Sequence, residues 1–156
     1  MILEKCKLVE ALPPKDHTGA AVDGNYISLK GYGWCTIVIQ TGAWAGGTAA
    51  ITINKATAVA GTGETTATFT EMYTNEGAAT TDTLTATAVS SNTFNLDTAN
   101  SMYVIELDPA SLGEYDCIQL AVATPGANAD LVSALYILSE SRYGQGSAAY
   151  PSALLD

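Results

Sequence analysis

Cys117-Ile-Gln-Leu-Ala-Val-Ala123 decides how this chain is read. Side chains two residues apart share one face of an extended strand. Ile118, Leu120 and Val122 therefore lie together, while Gln119, Ala121 and Ala123 make a smaller, more polar side. That alternation predicts a strand with one face in a core. Two other stretches, Trp34-Cys-Thr-Ile-Val-Ile-Gln40 and Leu131-Val-Ser-Ala-Leu-Tyr-Ile-Leu138, are apolar on both faces. Such a pattern belongs to central strands, or to strands covered on the outside by another subunit.

Working outward, Thr and Ala alternate with β-branched and aromatic residues over 1–12, 25–30, 34–41, 49–59, 65–73, 82–89, 93–96, 102–108, 117–124 and 131–139, and helical spacing of apolar residues is nearly absent. Turn-forming residues punctuate these runs: Pro13-Pro14, Asp23-Gly24, Gly42, Gly46-Gly47, Gly61-Thr-Gly63, Asn75-Glu-Gly77, Ser90-Ser-Asn92 and Pro125-Gly126. Pro109 and Gly113 suit the start and end of one short helical turn. Ten short strands predict an all-β protein, an antiparallel β-sandwich that is jelly-roll-like. Alternation alone leaves immunoglobulin-like connectivity open beside it. The expected body is 25–139, with an N-terminal arm or edge strand over 1–24 and an extended C-terminal arm over 140–156. Ile2 and Leu3 in the first arm, and Tyr143, Tyr150, Leu154 and Leu155 in the second, are candidate partner contacts, because a solvated tail seldom keeps aromatic and leucine anchors.

Composition narrows the function. The 156 residues suit one domain, and 47% hydrophobic against 14% charged residues argues for a packed core over a disordered acidic tail. Sixteen acidic against six basic residues give a net charge of -10, and the cations Lys5, Lys7, Lys15, Lys30, Lys55 and Arg142 are scattered. Nucleic acid is not an expected partner, since its binding leaves a clustered basic footprint. A membrane is not expected either, for want of an apolar run of about 18 residues. The opening Met1-Ile-Leu-Glu-Lys-Cys-Lys7 does not read as a signal peptide, so synthesis and first folding are placed in a cytoplasm.

Chemistry-bearing patterns are sparse. The single histidine, His17, removes multi-histidine metal sites and reads as an exposed loop residue. Cys6, Cys35 and Cys117 lack C-x-x-C spacing and read as buried free thiols in strands. Glu106 and Asp108 share a face if both lie in one strand, and Glu114 with Asp116 is the other close pair, but strand-end solubilising charges explain both. Gly61-Thr-Gly-Glu64 lacks the lysine of a phosphate-binding loop and reads as a hairpin. No catalytic residue, metal or cofactor is expected. Trp34, on a strand, reads as core; Trp44, flanked by glycines, is either tucked beneath its loop or presented as a contact for protein or glycan.

The stretch from Tyr26-Ile-Ser-Leu-Lys-Gly-Tyr-Gly-Trp-Cys-Thr-Ile-Val-Ile-Gln40 through the Gly-rich turn to Ile51-Thr-Ile-Asn-Lys-Ala-Thr57 resembles a segment recurrent in tailed-phage virion proteins. There a Phe-x-x-Met-Tyr-Thr segment follows, matched by Phe69-Thr-Glu-Met-Tyr-Thr74. Asn92-Thr-Phe-Asn-Leu96 with its sequel to Glu106, and Pro125-Gly-Ala-Asn-Ala-Asp130 with its sequel to Ser139, look like it too, so the likeness spans 26–143. The resemblance implies a non-enzymatic capsid decoration (cement) protein or related minor head protein. It implies the major capsid protein as partner, a homo-oligomer that in such proteins is often a trimer, and a place on the capsid surface of the virion. Contacts are then expected on both arms and at the Trp44 loop. Two alternatives stand beside it: another phage tail, connector or head-fibre component, or a carbohydrate-binding sandwich using Trp44 and nearby tyrosines.

Overall fold

A computed structural model describes residues 5–77 and 82–141. Two antiparallel sheets face each other. The first has six strands in the order β1 (Lys7–Asp16), β12 (Asp130–Ser139), β4 (Trp34–Trp44), β10 (Met102–Leu107), β7 (Glu71–Asn75) and β8 (Thr85–Ala88). In the second, β11 (Cys117–Val122) pairs β5 (Ala49–Ala56) on one side and the short β2 (Val22–Asp23) and β3 (Ile27–Ser28) on the other; β5 carries β6 (Thr65–Thr66) and β9 (Thr93–Leu96) along its far edge. A 3-10 turn over Pro109–Leu112 starts where Asp108 accepts the Ala110 N–H at 2.8 Å, as the Pro109 and Gly113 pattern predicts. The chain is an all-β sandwich.

The pairing is nested. β1 pairs with β12, β2 and β3 with β11, β4 with β10, and β5 with β9. The hairpin pieces β6, β7 and β8 are inserted between β5 and β9, and β7 and β8 widen the first sheet.

The core lies between the sheets. Ile37, Ile39, Tyr103, Ile105, Tyr136 and Leu138 from the first sheet meet Ile51, Ile53, Leu96, Ile118, Leu120 and Val122 from the second, all 1% exposed or less. The period-2 reading of 117–123 holds, with Ile118, Leu120 and Val122 inward. Phe94 links the layers, its ring 5.6 Å from Tyr103 and 6.3 Å from Phe69.

Three expectations about elements need correction. Pro13-Pro14 is not a turn: both prolines are exposed within β1, which is an edge strand, and the register slips on either side of Leu12. A residue without an N–H is tolerated there because no strand among the described residues pairs with that side of β1. The run 65–73 is not one strand but β6 and β7, in different sheets. Ala67 and Phe69 are buried on odd positions and Met72 on an even one, and this change of parity marks the crossing. Finally, 25–30 shrinks to β3, because the chain bows away from β11 between β2 and β3.

That bow leaves the Leu120 N–H without a neighbour in its sheet. Tyr136, wholly buried on β12 of the opposite sheet, meets it: the Leu120 N–H donates to the Tyr136 hydroxyl at 2.6 Å. Gly24 N–H closes the gap below by donating to Leu120 O at 2.8 Å, and Gln119 Nε2 donates to Gly24 O at 2.8 Å. A Cβ on residue 24 would stand 2.7 Å from Ala11 O, so only glycine fits. Replacing Tyr136 by Phe removes the bridge and orphans a buried N–H, which costs about 1–3 kcal/mol. Urea unfolding of Tyr136→Phe is expected to give a lower midpoint with an unchanged slope.

Candidate functional site

The two strands read as apolar on both sides, β4 and β12, lie next to each other within the six-stranded sheet. One of their faces makes the core and the other points away from it. On that outer face Leu8, Leu131 and Leu135 are each 43% exposed, and Val38, Val104 and Ile137 are half-buried. Register sets them in rows: Leu8 opposes Ile137, Leu135 opposes Val38, Val38 opposes Val104, and Val104 opposes Tyr73. An apolar band thus crosses five strands, about 20 Å at ordinary strand spacing. Monomeric sandwiches usually carry polar residues at such positions.

Along the central strands of this face the charge has one sign. Outward positions of β12, β4, β10 and β7 hold Glu106 and Glu71 and no Lys or Arg, and Glu10 on β1 opposes Leu135. Glu71, by hydrogen bonding and then by its charge, raises the pKa of the Tyr73 hydroxyl at this acidic border.

A groove of about 670 Å³ cuts the end of the face where β12 begins, lined by Pro14, Gln40, Asn100, Met102, Leu131 and Ser133. A smaller one of about 180 Å³ continues it along Val38 and Leu135, sharing Pro14, Gln40 and Ser133. The wall is pinned by buried polar contacts. Ser101 N–H donates to Thr41 Oγ1 at 3.0 Å, and that hydroxyl donates to Thr98 O at 2.7 Å. Gly42 leaves Leu131 room, since a Cβ there would lie 3.1 Å from the leucine's own.

Trp44 closes β4 beside this end. Its ring is half-buried against the core, and Nε1 donates to Gly47 O at 3.1 Å. Asp130, fully buried, faces Trp44 across the strand pair and accepts the Ala45 N–H at 2.6 Å, holding the glycine turn. Trp34 needs correcting: it is 40% exposed on the outer face, because its neighbour Cys35 takes the inward position.

His17 is the other correction. It is 2% exposed, held where β1 ends against β12 by its backbone N–H, which donates to Asp130 O at 3.1 Å. Burial lowers its pKa below the usual 6.5; the Val132 backbone opposes this, Lys15 adds to it and Asp16 opposes it. Cys35 and Cys117 are buried in strands, and Cys6 is half-buried before β1. Burial pushes the Cys35 thiol up to about 12, leaving it protonated.

The carboxylate pairs come apart: Glu106 faces outward on β10, whereas Asp108 caps the 3-10 turn and Asp116 pairs with Lys30 at 3.2 Å. Among the described residues no group of three or more His, Cys, Asp or Glu side chains is placed to hold a metal ion, and no helix is long and apolar enough to cross a membrane. Of the candidate contact residues only Trp44 falls within the described residues; Ile2, Leu3, Tyr143, Tyr150, Leu154 and Leu155 lie outside them. The face itself was signalled by the double-sided apolar pattern. The groove was not, because it joins residues from β1, β4, β10 and β12.

No protein-family model matches the chain, and no curated protein matches it.

The His17 site sets a pH dependence. With the folded pKa below 6.5, the unfolded chain takes up a proton that the folded chain refuses, so stability present above pH 6.5 is lost as pH falls below it. The loss is at most about 1.4 kcal/mol per pH unit. Urea unfolding at successive pH values is expected to show this step in the native protein and to lack it in His17→Leu; a constant difference between the two would refute it.

Proposed function

We propose that the chain is a non-enzymatic virion structural protein, a decoration (cement) protein that binds the head shell through the outer face of the six-stranded sheet. The observation that carries this reading is the apolar band through Leu8, Ile137, Leu135, Val38 and Val104, set on rigid neighbouring strands and facing away from the core. Nested pairing of first strand with last, and inward from there, supports jelly-roll connectivity, an architecture that viral capsid proteins share with lectins. This support is by analogy of fold; the face supplies the specific argument.

Charge defines the partner. With only carboxylates at outward positions of the central strands, the complementary surface is apolar at its centre and carries Lys or Arg at its rim. In this reading the major capsid protein provides it. Each bound copy favours the assembled shell by mass action, and copies repeated over a symmetric shell that span neighbouring subunits add avidity. The net charge of -10 keeps free copies soluble and away from packaged DNA. A glycan platform on Trp44 and Tyr32 has less support, because both rings pack partly against the core.

Leu135 is the substitution that tests it, being exposed at the middle of the band. Purified chain is expected to bind isolated tailed-phage head shells in a co-sedimentation assay, and Leu135→Glu to bind at least 10-fold more weakly with an unchanged circular dichroism spectrum. Equal binding by the variant would overturn the assignment of the face, and no binding by either would overturn the virion role.

A further inference from the structure

We infer that β8 is a pairing edge: two copies of this chain join antiparallel along it, about a two-fold axis through Thr87, and continue the six-stranded sheet from one copy into the other. The pairing does not depend on what the outer face binds.

The two edges of that sheet are built differently. An open edge offers a row of unmet N–H and C=O groups, and soluble proteins blunt it with proline, charge, bulges or very short strands. Strand β1 carries Pro13 and Pro14, register slips on both sides of Leu12, and the charges of Lys7, Glu10, Lys15 and Asp16. In the second sheet β2, β3 and β6 have two residues each, and β9 follows Ser91 and Asn92 at positive φ and ends against Asp97. Strand β8 has neither charge nor proline nor bulge. Its run Thr83-Leu-Thr-Ala-Thr-Ala-Val89 is uncharged, pairs β7 without a register shift, and has no described strand on its far side.

Register says which groups the edge presents. Val89 N–H donates to Thr70 O at 2.8 Å, one step past the pair of Ala88 with Glu71. Antiparallel bonding alternates, so Thr87 and Thr85 also bond toward β7, while the N–H and C=O of Ala86 and Ala88 point away from it. A second copy placed with its Ala88 opposite Ala86, and its Ala86 opposite Ala88, satisfies these groups with about four hydrogen bonds. Thr87 then meets Thr87 of the second copy on the axis.

Side chains permit the approach. Ala86 and Ala88 are exposed and small, and Thr87 is half-buried. Three strand spacings, about 14 Å, separate the Glu71 positions of the two copies, beyond the screening length of about 8 Å at physiological salt. The axis is perpendicular to the sheet, so both outer faces look the same way. The row Leu135, Val38, Val104, Tyr73 and Ala86 runs up to the seam and meets its symmetry mate there. Two bands on one side let a dimer grip a surface twice. An edge this short buries less than the roughly 1,200 Å² of a standard interface, so association is expected between about 10 μM and 1 mM.

Sedimentation equilibrium over that range is expected to show the mass of the full chain rising from 16.1 kDa toward double. Ala86→Pro removes an outward N–H and none that β7 uses, and is expected to stay monomeric with an unchanged circular dichroism spectrum. A second pair of variants reads the register without relying on that one. In Thr87→Cys the two thiols stand on Cα atoms about 4.5 Å apart, within disulfide reach, whereas in Leu84→Cys about 20 Å of strand separates them. Mild oxidation is expected to give covalent dimer at least 10-fold faster in the first; Cys6, Cys35 and Cys117 are common to both and cancel in the comparison. A monomer at 1 mM, a trimer, a dimer that a folded Ala86→Pro leaves intact, or equal oxidation rates in the two cysteine variants would each overturn the inference. Head shells enter none of these measurements, so a failure here is distinct from a failure of shell binding.

Discussion

A single hydroxyl ties the two layers of this sandwich together. Between β2 and β3 the chain bows away from β11, which leaves the Leu120 N–H buried with no strand beside it. In a low-dielectric interior an unmet donor costs far more than an ordinary hydrogen bond contributes, so the gap exists only because Tyr136 spans the core from the other sheet. Desolvation raises the pKa of that hydroxyl and keeps it neutral, the form a core tolerates. Around the bridge, Gly24 must lack a side chain to pass between Ala11 O and the tyrosine, and Gln119 must reach back to Gly24 O. The crossing fixes which stretch of β12 faces which stretch of β11, and with it which residues of β12 point outward.

The outward residues follow from that register. Once Tyr136, Ala134 and Leu138 are committed to the core, Leu131, Leu135 and Ile137 have no choice but the other face. Strand β4, next to it, repeats the pattern with Val38 outside and Ile37 and Ile39 inside. Leaving such side chains in water forgoes about 1.5–3 kcal/mol for each one fully buried elsewhere. The same term favours covering the band with any surface of matching shape. A sheet is a rigid support for this, since its strands hold the band in place without ordering cost at the moment of binding.

The end of the face near β12's start is organised by a separate polar cluster. Asp130 holds Ala45, accepts the His17 N–H through its carbonyl, and donates its own N–H to Asp16 Oδ1 at 3.2 Å. Asp16 also accepts the Thr18 N–H and hydroxyl, bonds that lower its pKa. These contacts lock the end of β1, the start of β12 and the Trp44 turn into one corner, and the groove opens beside it.

How much of this was legible in the chain depends on the range of the interaction responsible. Alternation at 117–123 and 131–138, the doubled apolar faces of 34–40, the proline and glycine around the 3-10 turn and the scattering of cations are local, set by the geometry of one strand or turn, and reading them requires no knowledge of neighbours. The candidate docking face belongs with them in part, because an apolar residue on both sides of a strand announces that both sides are to be covered. The exposure of Trp34, the burial of His17, the passage of Pro13-Pro14 through an edge strand and the switch of sheet between Thr66 and Glu71 were decided only in three dimensions. Each depends on which strand lies alongside, and that is set by pairings between residues as far apart as Lys7 and Leu138. Sequence by itself determined the class of fold, the alternation of its faces and the acidity of its surface; the tertiary structure alone decided which apolar face meets the core and which is left to water, because a strand's period names two faces without saying what stands opposite either one.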